Sequence, residues 1–379
     1  MIYLDSAATT PTDPAVVEAM LPFLREHFAN PSASYVAARS VRKAVQTARE
    51  QVAALLGAQA DEVIFTSCGT ESINTALASV RELWPEKTDL IITGTEHAAT
   101  LEAARRWNGQ VIHVPVNRDG MIDLDQLHTL LRPGHAALVS ILWANNETGV
   151  IAPMREITEI AHAAGALVHA DAVQAIGKIV IDVKSVPVDF LSLSGHKFHA
   201  PKGIGALFVS QRVRFAPLLV GGGQENGRRS GTENVPGIVA LGKAASLCGQ
   251  HDLQTLRDNF EQHLMSALPD GIIHGVDAPR LPNLTSLCFP GIDAAGMLIL
   301  LDKAGIACSA GSACHSAALH PSHVLEAMGF DAAHAASTLR FSFSRFNTKT
   351  EAETAAHAVI DAAHKMRAEL GDDSMVISS

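Results

Sequence analysis

Between about Glu62 and Ser210 the apolar residues fall into short runs rather than long stripes. Val63–Thr66, Leu90–Thr93, Val111–Val116, Ala137–Leu142, Ala166–His169, Phe190–Leu193 and Ala206–Val209 are each four to six residues long. Such runs are too short for helices and are bounded by polar or turn-forming residues, so they predict buried strands. Helical spacing occupies several intervals between them, at Glu71–Leu83, Thr95–Arg106 and Met154–Ala164. Strand and helix in alternation predict an α/β fold: a mostly parallel seven-stranded sheet flanked by helices. After a Gly-rich loop the pattern changes. A long helical region is expected over roughly Pro236–Ala267. Short strands near Thr285–Phe289, Ile306–Cys308 and Leu339–Ser342 then mix with helices at Ala294–Lys303, Ser322–Met328 and Lys349–Leu370. The last helix opens with Thr348 and Glu351 at the spacing of a capping box. This predicts a large α/β domain over 13–253 and a smaller α+β domain over 254–379. The extended residues 1–12 are expected to pack with the smaller one.

Bulk properties narrow the class of function. A chain of 379 residues, 47% apolar, can bury a large core. The net charge of −10 argues against a nucleic-acid surface. The first residues, MIYLDSAATTPTDP, lack the basic start of a signal peptide, and no apolar run is long enough to span a membrane. Five scattered cysteines do not make a disulfide framework, which points to a reducing, cytoplasmic setting with one reactive thiol.

Three segments carry chemistry. In the stretch Asp189–Gly205, an apolar run delivers Ser194, Gly195, His196 and Lys197. A lysine just past the carboxyl end of a buried strand lies where open α/β sheets bind ligands, and lysine forms Schiff bases with carbonyls. The second segment, Ser67-Cys68-Gly69-Thr70-Glu71, follows a strand and opens a helix, so the N–H groups near Gly69 and Thr70 suit a phosphate. The third places Asp171 and Gln174 after strand Ala166–His169. Asp171 is set to meet a ring nitrogen, as pyridoxal phosphate requires, and Gln174 to reach its phenolic oxygen. Taken singly, each has an ordinary alternative: a solvated lysine, a capping threonine, an Asp that starts the next helix.

Taken together with Asp5 and Ala8-Thr9-Thr10, Asn30-Pro31-Ser32, Thr95-Glu96-His97, Asn145-Asn146-Glu147-Thr148-Gly149, Gly223-Gln224-Glu225 and Arg229-Ser230-Gly231-Thr232, these segments resemble the cysteine desulfurases of the NifS/IscS type. These are class V pyridoxal-phosphate enzymes of fold type I, and the resemblance runs in order along essentially the whole chain. It implies that Lys197 tethers the cofactor as an aldimine and removes the substrate Cα proton, with His97 over the ring and active in proton transfer. It implies phosphate contacts from Thr70, Ser194 and His196, and contacts to the phenolic oxygen from Asn146 and Gln174. Asn146 would also lie near the substrate carboxylate, which Arg340 would clamp. Thr232 would reach the cofactor of a partner subunit, making the active unit a homodimer. Tyr35 departs from the family's pattern, which often has histidine there. Cys68, together with Ser194-Gly195-His196-Lys197-Phe198-His199, leans toward the nitrogen-fixation branch.

A further segment, Ser309-Ala310-Gly311-Ser312-Ala313-Cys314-His315-Ser316-Ala317, selects the reaction. A cysteine in a loop of small residues is a candidate nucleophile, whereas Cys248 and Cys288 sit in apolar patterns. Cys308 and Cys314 with His315 lack the spacing of common zinc sites, so no metal is expected. The resemblance makes Cys314 the persulfide-forming residue in a mobile loop. The implied reaction takes L-cysteine to L-alanine, with sulfur passed to an acceptor such as an iron–sulfur scaffold protein. A selenocysteine lyase, another class V lyase or aminotransferase, and a non-catalytic sulfur-relay scaffold are the alternatives.

Overall fold

A computed structural model describes residues 1–249, 251–310 and 322–376, with side chains of the last helix as far as 368. Cys314 and His315 lie outside the described residues. The main sheet has seven strands in the order Val63–Thr66, Gly205–Val209, Phe190–Ser194, Leu167–Asp171, Ala136–Leu142, Asp89–Thr93 and Val111–Val114. Every neighbouring pair is parallel except those made by Gly205–Val209, which runs against both its neighbours. All seven anticipated strands are present, and the sheet is mostly parallel as expected. Helices cover both faces, which is why the strands read as unbroken apolar runs. On one face Val41, Val52, Ile157 and Leu241 pack against Val139, Val168 and Leu191. On the other, Ile73, Leu77 and Val80 pack against Ile64, Leu90 and Leu138.

The second body has a four-stranded sheet in the order Ser309–Ala310, Thr338–Ser342, Leu284–Cys288 and Ile272–Ile273. Its core gathers Phe260 and Leu264 from one helix, Met297 and Leu301 from another, and Ala355 and Val359 from the last. Phe260 meets Phe341 with ring centroids 5.1 Å apart, a tilted contact worth about 0.5–1.5 kcal/mol beyond burial. The capping box forms: Thr348 N–H donates to Glu351 Oε2 at 2.9 Å and Glu351 N–H to Thr348 Oγ1 at 3.2 Å.

Two expectations need correction, and two further features were not anticipated. The strand read as ending at His169 continues through Asp171, because Ala170 and Asp171 stay paired on both sides. The long helical region is two helices, Val235–Ser246 and Leu253–Ala267; Asp252 starts the second by accepting from Thr255 N–H. Two helices near the N-terminus, Pro14–Arg25 and Val36–Leu56, went unread, although Asp13-Pro14 is a cap followed by proline at the first turn. The opening residues also divide their contacts. Ile2–Tyr3 pairs with Ile306–Ala307 in the smaller body, but Thr10 N–H donates to His196 O at 2.8 Å beside the main sheet.

Candidate active site

Five strands of the main sheet deliver the site at their carboxyl ends. Thr66 leads to Gly69 and Thr70, Thr93 to His97, Leu142 to Asn146, and Ser194 to Lys197, while Asp171 closes its own strand. This edge is where parallel sheets bind ligands. Gly69, Thr70, His97, Asn146, Asp171, Gln174, Ser194, His196, Lys197 and Arg340 all line one cavity of about 330 Å³, together with Ala7, Ala8 and Cys68.

Lys197 ends a single 3-10 turn, Gly195–Lys197. Its Nζ donates to Ala7 O at 2.6 Å and Ala8 O at 2.9 Å. The buried Asp171 takes Val173 N–H at 3.0 Å. Burial pushes its carboxyl up from the ordinary range, and the charges of His97 and Lys197 pull it back. His97 caps the helix Ala98–Ala104 by accepting Ala99 N–H on Nδ1 at 3.1 Å, so a neutral ring carries its proton on Nε2. Burial, then the nearby lysines 197, 202 and 178, push His196 down to about 4. Its neutral ring holds Thr9 Oγ1 at 3.1 Å.

Arg340 comes from the smaller body. Its guanidinium donates to Asn146 O at 2.8 Å and to Asp5 Oδ1 at 2.9 Å. Thr232 lines a separate cavity of about 180 Å³ with Ser67, Glu225 and Arg229. Its loop is tied down by a bidentate Arg49–Glu225 pair, both contacts 2.7 Å, and by Arg229 to Glu71 at 2.8 Å. Within one chain, therefore, Thr232 does not join the other cofactor-binding candidates.

The residues present fit pyridoxal phosphate. Gln174 Oε1 is buried and has no partner among the described residues, while Gln174 Nε2 is held by Ala7 O at 2.8 Å. Cys68 gives the helix Gly69–Leu83 no side-chain cap, leaving first-turn N–H groups for an anion. A Cβ on Gly69 would come within 2.8 Å of Val173 Cγ2, so any larger residue would crowd this wall. Arg340 Nε is likewise buried and unpartnered, a donor suited to a carboxylate.

Sequence reasoning missed the carboxylic acids behind this wall. Glu96 takes Thr93 Oγ1–H at 2.7 Å and Leu142 N–H at 2.9 Å, which fixes the turn that carries His97. Burial raises it to about 8, with the charge of Asp171 adding to the rise. Glu147 is also pushed up by burial and accepts from Ser322 Oγ. A carboxyl raised in the folded state binds its proton more tightly there than when unfolded. Its stability contribution is therefore complete at low pH and lost as pH rises from about 4.5 toward about 8. Glu96→Gln, a neutral isostere, is expected to leave the melting temperature unchanged at pH 5 and raise it at pH 8.5. A difference of the same size at both pH values would disprove the buried-acid account.

A lysine at a strand end, a buried carboxylate and a helix N-terminus on one mostly parallel sheet define a pyridoxal-phosphate enzyme of fold type I. The chain belongs to the aminotransferase class-V family, whose model matches residues 2–354. It is 47% identical to a cysteine desulfurase of Nostoc sp., over 97% of this chain and 94% of that one. It is 47% identical to a cysteine desulfurase of Gluconacetobacter diazotrophicus, over 93% and 90%. Among solved structures it resembles a NifS-like protein with a TM-score of 0.88 at 36% identity, covering 95% of this chain and 98% of that one. It also resembles SspA in complex with cysteine, with a TM-score of 0.82 at 32% identity, covering 92% and 100%.

Proposed function

We propose that this chain is a cysteine desulfurase, taking L-cysteine to L-alanine and leaving the sulfur as a persulfide on Cys314. The supporting observation is one cavity wall that joins Lys197, Asp171, His97 and Arg340. Gly69, Thr70, Ser194 and His196 hold the cofactor phosphate. When the cofactor is bound, Asp171 would pair with the ring nitrogen, Asn146 and Gln174 would contact the phenolic oxygen, and His97 would lie over the ring. When bound, pyridoxal phosphate supplies an electron sink for the bond broken at the substrate Cα.

The chain's own groups do the rest. Arg340, with Nε uncommitted, binds the substrate carboxylate beside Asn146. Lys197 Nζ would tether the cofactor and, when free as an amine, would take the Cα proton. The Cys314 thiolate attacks the substrate sulfur: an S–S bond forms as the C–S bond breaks. Lys197 and His97 return protons to the carbon skeleton, and L-alanine leaves. One L-cysteine and one thiol give one L-alanine and one persulfide, so no outside oxidant or reductant is consumed.

Thr232 reaches the phosphate of a partner subunit's cofactor, which makes the active unit a homodimer. The domains divide at 13–253 and at 1–12 with 254–379. Sulfur passes to an acceptor such as an iron–sulfur scaffold protein in the cytoplasm. Among the described residues, no helix is long and apolar enough to cross a membrane. Incubation with L-cysteine and non-reducing mass spectrometry test the proposal. The expected result is a gain of one sulfur atom on Cys314 with matching L-alanine; alanine without sulfur on the protein would refute it.

A further inference from the structure

Outside the lining of the cofactor cavity, but bonded to the Lys197 turn, lies a second lysine that the reaction above does not use. Lys178 is half-buried, and its Nζ donates to the main-chain oxygen of Lys197 at 2.8 Å. Among the described residues it makes no ion pair. Lys178 and Lys197 both line a small cavity of about 30 Å³, roomy enough for a water molecule. An ammonium drawn even partly out of water without a carboxylate loses hydration that no ion pair returns.

We propose that Lys178 is a positioning residue for Lys197: it anchors the lysine turn through the main chain, and its charge disfavours protonation of the Lys197 nitrogen. This rests on the reading of Lys197 as cofactor tether and base. The contacts around Lys197 make such a partner useful. Its Nζ is held by two carbonyl oxygens, Ala7 O and Ala8 O, and these favour the ammonium form. An ammonium is neither nucleophile nor base, so a cation on the other side of the turn opposes them, as in other lysines activated by a cationic neighbour.

The surrounding groups leave that role to Lys178. On the turn, His196 and His199 are neutral at physiological pH, both pushed down to about 4 chiefly by burial. Lys202 adds positive charge at His196, with an effect there larger than that of Lys178, but makes no bond to the Lys197 main chain among the described residues. From the neighbouring elements, Cys248 is pushed up by burial and stays a thiol, and His251 lines the small cavity. Arg345 pairs with Asp13, which offsets its charge. Burial first, then the charge of Lys197, lowers Lys178 to about 7, so the repulsion between the two amines acts below that pH.

Two interacting amines titrate as a pair, over a broadened range. The holoenzyme's visible cofactor absorbance, followed against pH, reads the proton on the Lys197 nitrogen. In Lys178→Met and Lys178→Gln the curve is expected to sharpen to one site, and its midpoint to rise by about one unit, a tenfold gain in proton affinity. Gln keeps a donor for the Lys197 carbonyl but no charge, and it decides alone if the Met variant does not fold. Curves that superimpose on wild type would overturn the proposal. A shift in Met but not Gln would leave only the main-chain bond and overturn the role of charge. Lys197→Ala separates the two readings: if its absorbance still titrates as in wild type, the tether assignment has failed rather than the role of Lys178.

Discussion

Lys197→Ala is expected to lose the pH-titrating visible absorbance of the cofactor-loaded protein and to slow alanine formation by about 10⁴-fold or more. One substitution removes both the tether and the base. Lys178 is not placed to replace it, since it bonds the main chain of the turn and does not line the cofactor cavity. The fold should survive although the Lys197 side chain bonds two carbonyls of the opening segment. That segment stays clasped to the turn by Thr10 N–H on His196 O, Thr10 Oγ1–H on the same oxygen, and Asp13 N–H on His199 O. Far-UV circular dichroism should therefore match wild type. Arg at this position keeps the charge but cannot form the Schiff base or act as base, so it should fail as completely. A small added amine should restore part of the turnover to the Ala variant, because it can take up the proton-transfer role. Unchanged absorbance and activity in Lys197→Ala would remove this residue from the centre of the mechanism.

The sheet was legible because both its faces are covered. Seven apolar runs, with turn residues between, leave little else for such a sequence to become. The strand ends were legible for the same reason: the polar residue that follows an apolar run lies on the ligand edge, and this found Lys197 and the phosphate helix. Asp171 was read as lying beyond its strand because Ala and Asp are weak strand formers. The pairing of Leu142 and Ser192 on either side holds it in the ladder. Other groups were given no role of their own. Ala7 and Ala8 act through main-chain oxygens, which look alike at every position. Glu96, Glu147 and Lys178 read as ordinary charged residues, and only the folded surroundings raise the two carboxyls, Glu96 to about 8, and lower the lysine to about 7. Asp5 stood within a recognised segment, but its pairing with Arg340 spans almost the whole chain. The residue that selects the reaction, Cys314, was found by its small-residue surroundings and the resemblance alone, since it lies outside the described residues.

Cys314→Ala should separate cofactor chemistry from sulfur chemistry. The variant is expected to keep the visible absorbance of the bound cofactor, because the residues that hold the cofactor are elsewhere, while sulfide release from L-cysteine falls by about 10³-fold or more, as the loss of a nucleophile requires. The other cysteines bear on this expectation. A sulfur-accepting thiol must ionise near the substrate. Burial pushes Cys288 up to about 11 and Cys308 up to about 12, and it raises Cys248 as well, so these three remain protonated at neutral pH. Cys68 is different: it lines the cofactor cavity at the start of the phosphate helix. It is the one rival on the described surface of the site, and Cys68→Ala tests it directly. If Cys314 is the nucleophile, Cys68→Ala should turn over L-cysteine within about threefold of wild type, a change of about 0.7 kcal/mol in barrier, and still gain a sulfur atom on Cys314. If the rival is correct, the outcomes exchange, and sulfur should be found on Cys68 of the Cys314→Ala protein. A Cys314→Ala enzyme that releases sulfide at the wild-type rate would remove the persulfide step from this residue, while leaving the roles of Lys197 and Asp171 untouched.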